Sequence, residues 1–354
     1  MGVRNDRHNN RLNVYLYFWV NRTEGQGNKF QQKSRFLCAE ILTLLIGIIG
    51  TYVILHEAVY QIIHYGGREL NIVSKDELIN KAGDLKVLPF VARKALDILN
   101  NENCSIEDLS TVIEKDQTIA ARILKISNSA LYGLRREVTS LQNALLILGF
   151  KTLRSIVLTA TTRSLYKKFG MTEKIIWDHS VGAAIAAKLI SRGLGSEVTD
   201  MAFVGGLMHD LGKVVMNNET PEAYSEVMMK MYNEGIGSIA AEKDVYGYDH
   251  TDVGAGVTGK WKFAAPLVTV LKEHHLNNCK LEDIGDPLAA KSVASVHLAD
   301  HICKLLGIGY READESVLLH ELPSAVYFNL GKDKLDKLVI EISETYNAEK
   351  SVFD

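Results

Sequence analysis

Seven residues in the carboxyl-terminal half of the chain are of the types that hold transition metals: His179, His209, Asp210, His250, His274, His275 and Asp300. Imidazole nitrogens and carboxylate oxygens suit iron, manganese, zinc or nickel better than magnesium or calcium. A one- or two-ion centre of that composition is equipped for metal-assisted hydrolysis. The densest segment is Met201–Met216, MAFVGGLMHDLGKVVM, which reads as one buried helix because it is apolar on nearly every side. It nevertheless carries His209, Asp210 and Lys213. Burying a carboxylate without a partner costs several kcal/mol or forces it to protonate. Two solutions stand side by side. In the plain one, Asp210 pairs with Lys213 three residues on, and a backbone carbonyl satisfies His209. In the other, His209 and Asp210 wrap a cation, with the carboxylate free to bridge two. Gly205, Gly206 and Gly212 would let a helix or a phosphate approach the backbone closely.

Each remaining candidate also has a purely structural reading. His179 lies among small residues (Val181-Gly182-Ala183-Ala184-Ile185) and could be a core histidine satisfied by hydrogen bonds. His274-His275 could close a helix whose carboxyl end favours imidazolium. His297 and His301 flank Asp300 and could simply pair with it.

The elements that must position these side chains read as helices. Apolar residues recur at helical spacing from Val73 onward, and no stretch shows sustained strand alternation or a hairpin signal. The fold class is therefore all-α. Ser105 with Asp108 resembles a capping box that opens a helix through Val112, and Asp116 is a cap for a second helix with Ile119, Ile123, Leu124 and Ile126 inward. Leu141, Leu145, Leu146 and Leu148 continue the pattern to Gly149. Further helices are expected at about 151–168, 173–192, 198–216, 221–235, 251–262, 264–276, 288–306 and 332–347.

In this order, His179, His209-Asp210, His250, His274-His275 and Asp300 resemble the HD superfamily of metal-dependent phosphohydrolases. The stretch from about 80 to 290 resembles more closely an HDOD domain, the HD-related output domain of bacteria. Leu88-Pro89, the helix Ile113–Ile126 with Ser127-Asn128-Ser129-Ala130 after it, Leu148-Gly149-Phe150 and Leu153-Arg154 carry the amino half of that resemblance. Asp116-Gln117 stands where the family has Asp-Pro. The resemblance implies an HD-type helical bundle, with His179, His209, Asp210 and Asp300 on one divalent metal. It implies His250, His274 and His275 on a second metal, Asp210 bridging the two. Active members use a metal-bound hydroxide to attack a phosphoester, often in a nucleotide, so Asp210 and Lys213 take catalytic roles, Lys213 neutralising phosphate. The enzymes that cleave cyclic di-GMP have Gly-Tyr-Pro after the paired histidines, where this chain has Leu276-Asn277-Asn278. HDOD domains are generally signalling outputs. Two expectations follow: a regulatory protein that contacts a protein partner and retains the metal site, or a metal-dependent phosphohydrolase acting on a nucleotide or cyclic dinucleotide.

Composition narrows the setting. With 354 residues, 47% of them apolar, the chain can bury a large core, and 23% charged residues exclude wholesale disorder. A net charge of −3 argues against coating nucleic acid. The look-alike of a helix–turn–helix at Ile106–Leu131 sits in a region with thirteen Lys/Arg against ten Asp/Glu, a thin excess for gripping phosphates. Cys38, Cys104, Cys279 and Cys303 form no CxxC pair, as expected of reduced thiols in the cytoplasm. The expected organisation is a 1–72 extension, an HDOD domain over 73–310 and a helical tail over 311–354. The extension is basic (seven Lys/Arg against two Asp/Glu in residues 1–35) and then apolar over 36–55. That apolar segment is a candidate membrane anchor, a buried or partner-binding helix, or part of an over-long translation start. In the tail, Leu335, Leu338, Val339 and Ile342 share one face, fit to pack on the domain or on a partner.

Overall fold

The computed structural model describes residues 72–83, 105–167, 169–277, 279–309 and 312–353, together with Lys94 and Ile98. The basic extension, the apolar segment 36–55, Leu88-Pro89, Cys38 and Cys104 lie outside the described residues. Among the described residues there are helices and no strands, and no helix is long and apolar enough to cross a membrane.

The amino half is built from α1 (Lys75–Ala82), α2 (Ile106–Ile113), α3 (Gln117–Ser127) and α4 (Leu141–Thr162). Local chemistry sets their starts: Ser105 Oγ accepts from the Asp108 amide and Asp116 Oδ1 from the Thr118 and Ile119 amides, satisfying amides that have no helical partner. Ile119, Ile123 and Ile126 are buried as their spacing requires, with Leu124 packed at the margin. α4 joins the two expected helical stretches, the one up to Gly149 and the one from about 151, across a kink. Its first turns begin after Ser140, and Gly149 (φ 79°, ψ 167°) kinks the helix, leaving Leu146 and Ile147 exposed before the kink while Leu153, Ile156 and Val157 are buried after it.

The bundle that follows comprises α5 (Met171–Ile190), α6 (Ser196–Met208), α7 (Leu211–Glu219), α8 (Pro221–Glu234), α9 (Ser238–Tyr246), α10 (His250–Lys260), α11 (Ala265–Glu273) and α12 (Pro287–Leu306). α5, α6 and α12 pack on one another as its centre, and α7 lies on α10, which in turn lies on α11. Small residues permit this: Ala183, Ala184, Ala186 and Ala187 of α5 and Ala294 and Ala299 of α12 are fully buried. Two glycines mark backbone-to-backbone crossings. A Cβ on Gly206 would stand 2.6 Å from the Ala183 carbonyl oxygen, and one on Gly212 would stand 1.9 Å from that of His250.

Met201–Met216 is two helices, not one. Asp210 departs from helical geometry (φ −93°, ψ 13°), so α6 ends at Met208, capped by His209, and α7 begins at Leu211. The break turns the two helices to different neighbours, α6 to α5 and α12, α7 to α10. It leaves His209 and Asp210 at the corner. α9 is the other departure from expectation: its nine residues have weak amphipathic patterning and stand between Gly237 and Gly247, two positions that read as loop.

After α12 come α13 (Pro323–Tyr327) and α14 (Lys332–Glu349). Leu335 and Ile342 of α14 are buried, and Leu338 and Val339 pack at the edge of the core. The end of the chain reaches back to the amino half: Lys125 Nζ donates to the Ser351 carbonyl, Ser129 Oγ to Glu349, and Phe353 lies 6.3 Å from the Phe203 ring.

A candidate metal centre and the family it belongs to

The seven candidate ligands come together. His179 is supplied by the middle of α5, His209 and Asp210 by the α6–α7 corner, His250 by the first residue of α10, His274 and His275 by the two residues after α11, and Asp300 by α12. All are buried except His275, whose side chain is 13% exposed. Three overlapping triplets offer ligand atoms within 4.8 Å of one another: His179, His209 and Asp300; His209, Asp210 and His274; His250, His274 and His275.

Asp210 is the hinge of this arrangement. Its Oδ2 lies 3.4 Å from His209 Nε2 and 4.0 Å from His179 Nε2, while Oδ1 lies 3.3 Å from His250 Nε2. One carboxylate therefore faces both halves of the cluster. Asp300 Oδ1 sits 3.1 Å from His179 Nε2.

The outer nitrogens of the imidazoles fix their tautomers. A carbonyl oxygen can only accept, so Nδ1 carries the proton where it meets one. That holds for His179 against Ile308 (3.2 Å), His209 against Gly206 (2.7 Å) and His274 against Leu271 (3.0 Å). His250 Nδ1 stands 2.6 Å from Glu242 Oε2, which also accepts from the His250 amide at 2.8 Å. Each of these rings thus turns an Nε2 lone pair inward. His250 Nε2 is 3.4 Å from His274 Nε2 and 3.2 Å from His275 Nε2. The His250 and His274 lone pairs, aimed at one another, repel unless a cation lies between them. His209 Nε2 and Asp210 Oδ1, both buried, make no hydrogen bond at all. The donor set, its inward lone pairs and these two unsatisfied atoms fit a divalent transition metal.

Electrostatics agree. Burial pulls the pKa of His179, and of His274 and His275 still further, below the ordinary imidazole value, the last two helped by neighbouring imidazoles; neutral rings are what a metal requires. Burial alone would raise the two aspartates, but His209 and Lys213 hold Asp210, and Lys304 and His179 hold Asp300, well below the usual carboxylate range. His209 is the exception among the rings: burial lowers it, but Asp210 and Asp300 together outweigh that and raise it.

The structural readings of the sequence are met in part. Lys213 Nζ does pair with Asp210 Oδ2 at 2.9 Å and a carbonyl does take His209 Nδ1, yet both contacts leave the inward atoms of His209 and Asp210 unsatisfied. His297 and His301 do not hydrogen-bond Asp300: His297 Nδ1 meets Ser324 Oγ at 2.9 Å and His301 Nδ1 donates to the His297 carbonyl at 2.8 Å. Lys304 takes that place on Asp300, Nζ to Oδ2 2.6 Å.

Sequence reasoning missed Glu242. It is fully buried on α9 and fixes His250 through two hydrogen bonds, the carboxylate–imidazole support that orients metal ligands. Glu242 opens the charged run Glu242-Lys243-Asp244, which reads as a solvated surface, so the sequence held no signal that set it apart before its contact with His250 was known.

A pocket of about 230 Å³ opens onto the centre. His179, Asp210 and Lys213 form its inner end, Ile175, Ile176, Tyr224, Met228 and Met231 its apolar wall, and Ser238 and Glu312 are among the residues that complete it. An anion entering here meets the Lys213 ammonium beside Asp210.

Comparison with known proteins gives the same fold. A crystal structure of an HDOD domain protein of unknown function from Geobacter sulfurreducens is 26% identical and superposes with a TM-score of 0.61, over 78% of this chain and 98% of that one. A protein from Shewanella amazonensis SB2B, named as a candidate metal-dependent phosphohydrolase, is 18% identical with a TM-score of 0.53 over 86% of this chain and 99% of its own. A candidate signal transduction protein from Marinobacter aquaeolei VT8 is 16% identical with a TM-score of 0.55 over 80% of this chain and 67% of its own. Among curated proteins, an uncharacterised protein of Treponema pallidum (strain Nichols) is 19% identical over 200 residues, 56% of this chain but only 39% of that protein's length. Residues 85–277, more than half of the 354, match the model of the HDOD domain, and the helices and His/Asp cluster described above fall largely within that span: this chain belongs to the HDOD domain family.

Proposed function

We propose that this HDOD protein holds one or two divalent ions among His179, His209, Asp210, His250, His274, His275 and Asp300, and acts there as a phosphohydrolase on a phosphoester in a signalling pathway. The observation that carries the reading is the convergence of inward Nε2 lone pairs and carboxylate oxygens at the closed end of an open pocket. Iron, manganese, zinc or nickel suit that donor set. When bound, such an ion supplies Lewis acidity toward phosphoryl oxygens and water.

The chain's own residues do the rest. Asp210 faces both halves of the cluster and orients whatever is held there. Lys213, held beside Asp210 and lining the pocket, gives the phosphate a fixed positive partner. The apolar wall of Ile175, Ile176, Met228 and Met231 excludes water and accepts the non-phosphate part of the ligand.

A second reading, in which the occupied centre signals to a protein partner without turnover, is favoured by the carboxyl-terminal segment. Through Glu349, Ser351 and Phe353 it ties the amino half to α6, so a shift in the bundle has a mechanical route outward. The two readings separate in one experiment. Manganese-loaded protein is incubated with p-nitrophenyl phosphate, its bis-ester and a panel of nucleoside phosphates, while calorimetry follows binding. The phosphohydrolase reading expects hydrolysis that falls at least about 100-fold in Asp210→Asn and weaker substrate binding in Lys213→Met. Binding without phosphate release in the wild type supports the signalling reading, and neither binding nor release refutes both.

A further inference from the structure

The two halves of the centre are not electrically alike. The half formed by His179 and His209 has two carboxylate oxygens at hand, Asp300 Oδ1 and Asp210 Oδ2. The half formed by His250, His274 and His275 has three imidazoles and only the second oxygen of the shared Asp210. Two ammonium groups are already seated on the same carboxylates, Lys213 on Asp210 Oδ2 and Lys304 on Asp300 Oδ2, and Lys304 lies beside His275, whose Nδ1 is 3.6 Å from that same oxygen.

Asp210, Asp300 and Glu242 carry three negative charges and the two lysines two positive ones, so the buried cluster has a net charge of one minus. One divalent ion turns that to plus one. A second takes it to plus three in a place largely shut off from solvent, where uncompensated charge is costly. A phosphate dianion brings it back to plus one, and the pocket delivers an anion to Asp210, the group common to both halves.

Resting on the metal-centre reading above, we infer that the two positions fill in order: the His179/His209 position binds an ion by itself, and the His250/His274/His275 position takes one only together with a phosphate anion, because one carboxylate oxygen alone serves it and Lys304 stands as a resident cation beside it. The protein is then a coincidence detector for divalent metal and phosphate. Lys304 is a residue to which the metal chemistry itself assigns nothing, and its role here is to set the order of filling.

The test is equilibrium dialysis of the full chain against Mn²⁺, with and without inorganic phosphate, free Mn²⁺ being counted by electron paramagnetic resonance. The expected result is one ion per chain without phosphate and two with it, the second accompanied by the spectral signature of a coupled pair. His275→Gln removes the second ion and spares the first. Lys304→Gln lets the second ion bind without phosphate at about tenfold lower Mn²⁺ than the wild type needs, as expected for removing one unit charge several Å away in a partly screened site. Two ions of equal affinity without phosphate, or a second affinity that ignores phosphate, overturn the inference while leaving the metal centre intact. An unmoved second affinity in Lys304→Gln overturns the role of that lysine. Failure to bind any ion removes the metal-centre reading itself.

Discussion

At the scale of single residues, the centre depends on which nitrogen of each imidazole is tied up. Carbonyls hold Nδ1 of His179, His209 and His274, and the Glu242 carboxylate holds that of His250, so removing such a partner frees the ring to turn or change tautomer. Glu242→Ala should weaken metal binding about 10–100-fold while the helix content is kept, because the ligand itself remains. Metal titration followed by circular dichroism of the same sample checks this, and an unchanged affinity would mean that His250 needs no support. His297 gives a pH prediction apart from the metal. Burial, with a smaller push from His301, brings its pKa down to about 3, so it is neutral in the fold, whereas in the unfolded chain it titrates at its ordinary value near 6.5. Between those values the unfolded state binds the extra proton, and stability is lost as pH falls through the window. At pH 5 the loss from this one group is about 2 kcal/mol relative to neutral pH. Melting of the wild type and of His297→Gln at pH 7.5 and 5.0 should show a smaller drop for the variant, and equal drops would contradict the assignment.

At the scale of elements, five of the seven candidate ligands are placed by helix ends and His179 and Asp300 by the interiors of α5 and α12. His209 and Asp210 sit at the α6–α7 break, His250 starts α10 and His274-His275 follow α11, so each is fixed by a cap or a corner. The Gly212 crossing sets where α10 meets α7. Gly212→Ala puts a methyl group 1.9 Å from the His250 carbonyl oxygen, and overpacking of that kind costs about 1–3 kcal/mol. A lower Tm together with weakened metal binding is expected, and an unaltered Tm would show that the crossing yields without strain. The helices could be read from the chain because apolar spacing is a local signal, and the candidate ligands because their His/Asp order resembles that of the HD superfamily. The α6–α7 break could not, since His209, Asp210 and Lys213 read equally well as polar groups paired within one buried helix, and the turn is made by competing neighbours. α9 was hidden by its weak pattern and flanking glycines, and with it Glu242. Lys304 was hidden too: its pairing with Asp300 is an ordinary i, i+4 contact, and its meaning depends on how near His275 comes.

At the scale of the molecule, an all-helical bundle brings residues from five separate stretches of the chain to one buried point, and an apolar-walled pocket opens onto it. The carboxyl-terminal segment joins this bundle to the amino half, which gives occupancy of the centre a path to the rest of the protein. Both the hydrolytic and the signalling readings depend on the centre holding a metal. The measurement that decides it is the metal content of full-length protein purified without chelator or a histidine tag, beside His209→Ala and Asp210→Ala checked for folding by circular dichroism. About one or two iron, manganese, zinc or nickel ions per chain in the wild type, lost in both folded variants, is the predicted result. No metal in the wild type even after incubation with each ion, with the variants differing only in stability, would contradict it.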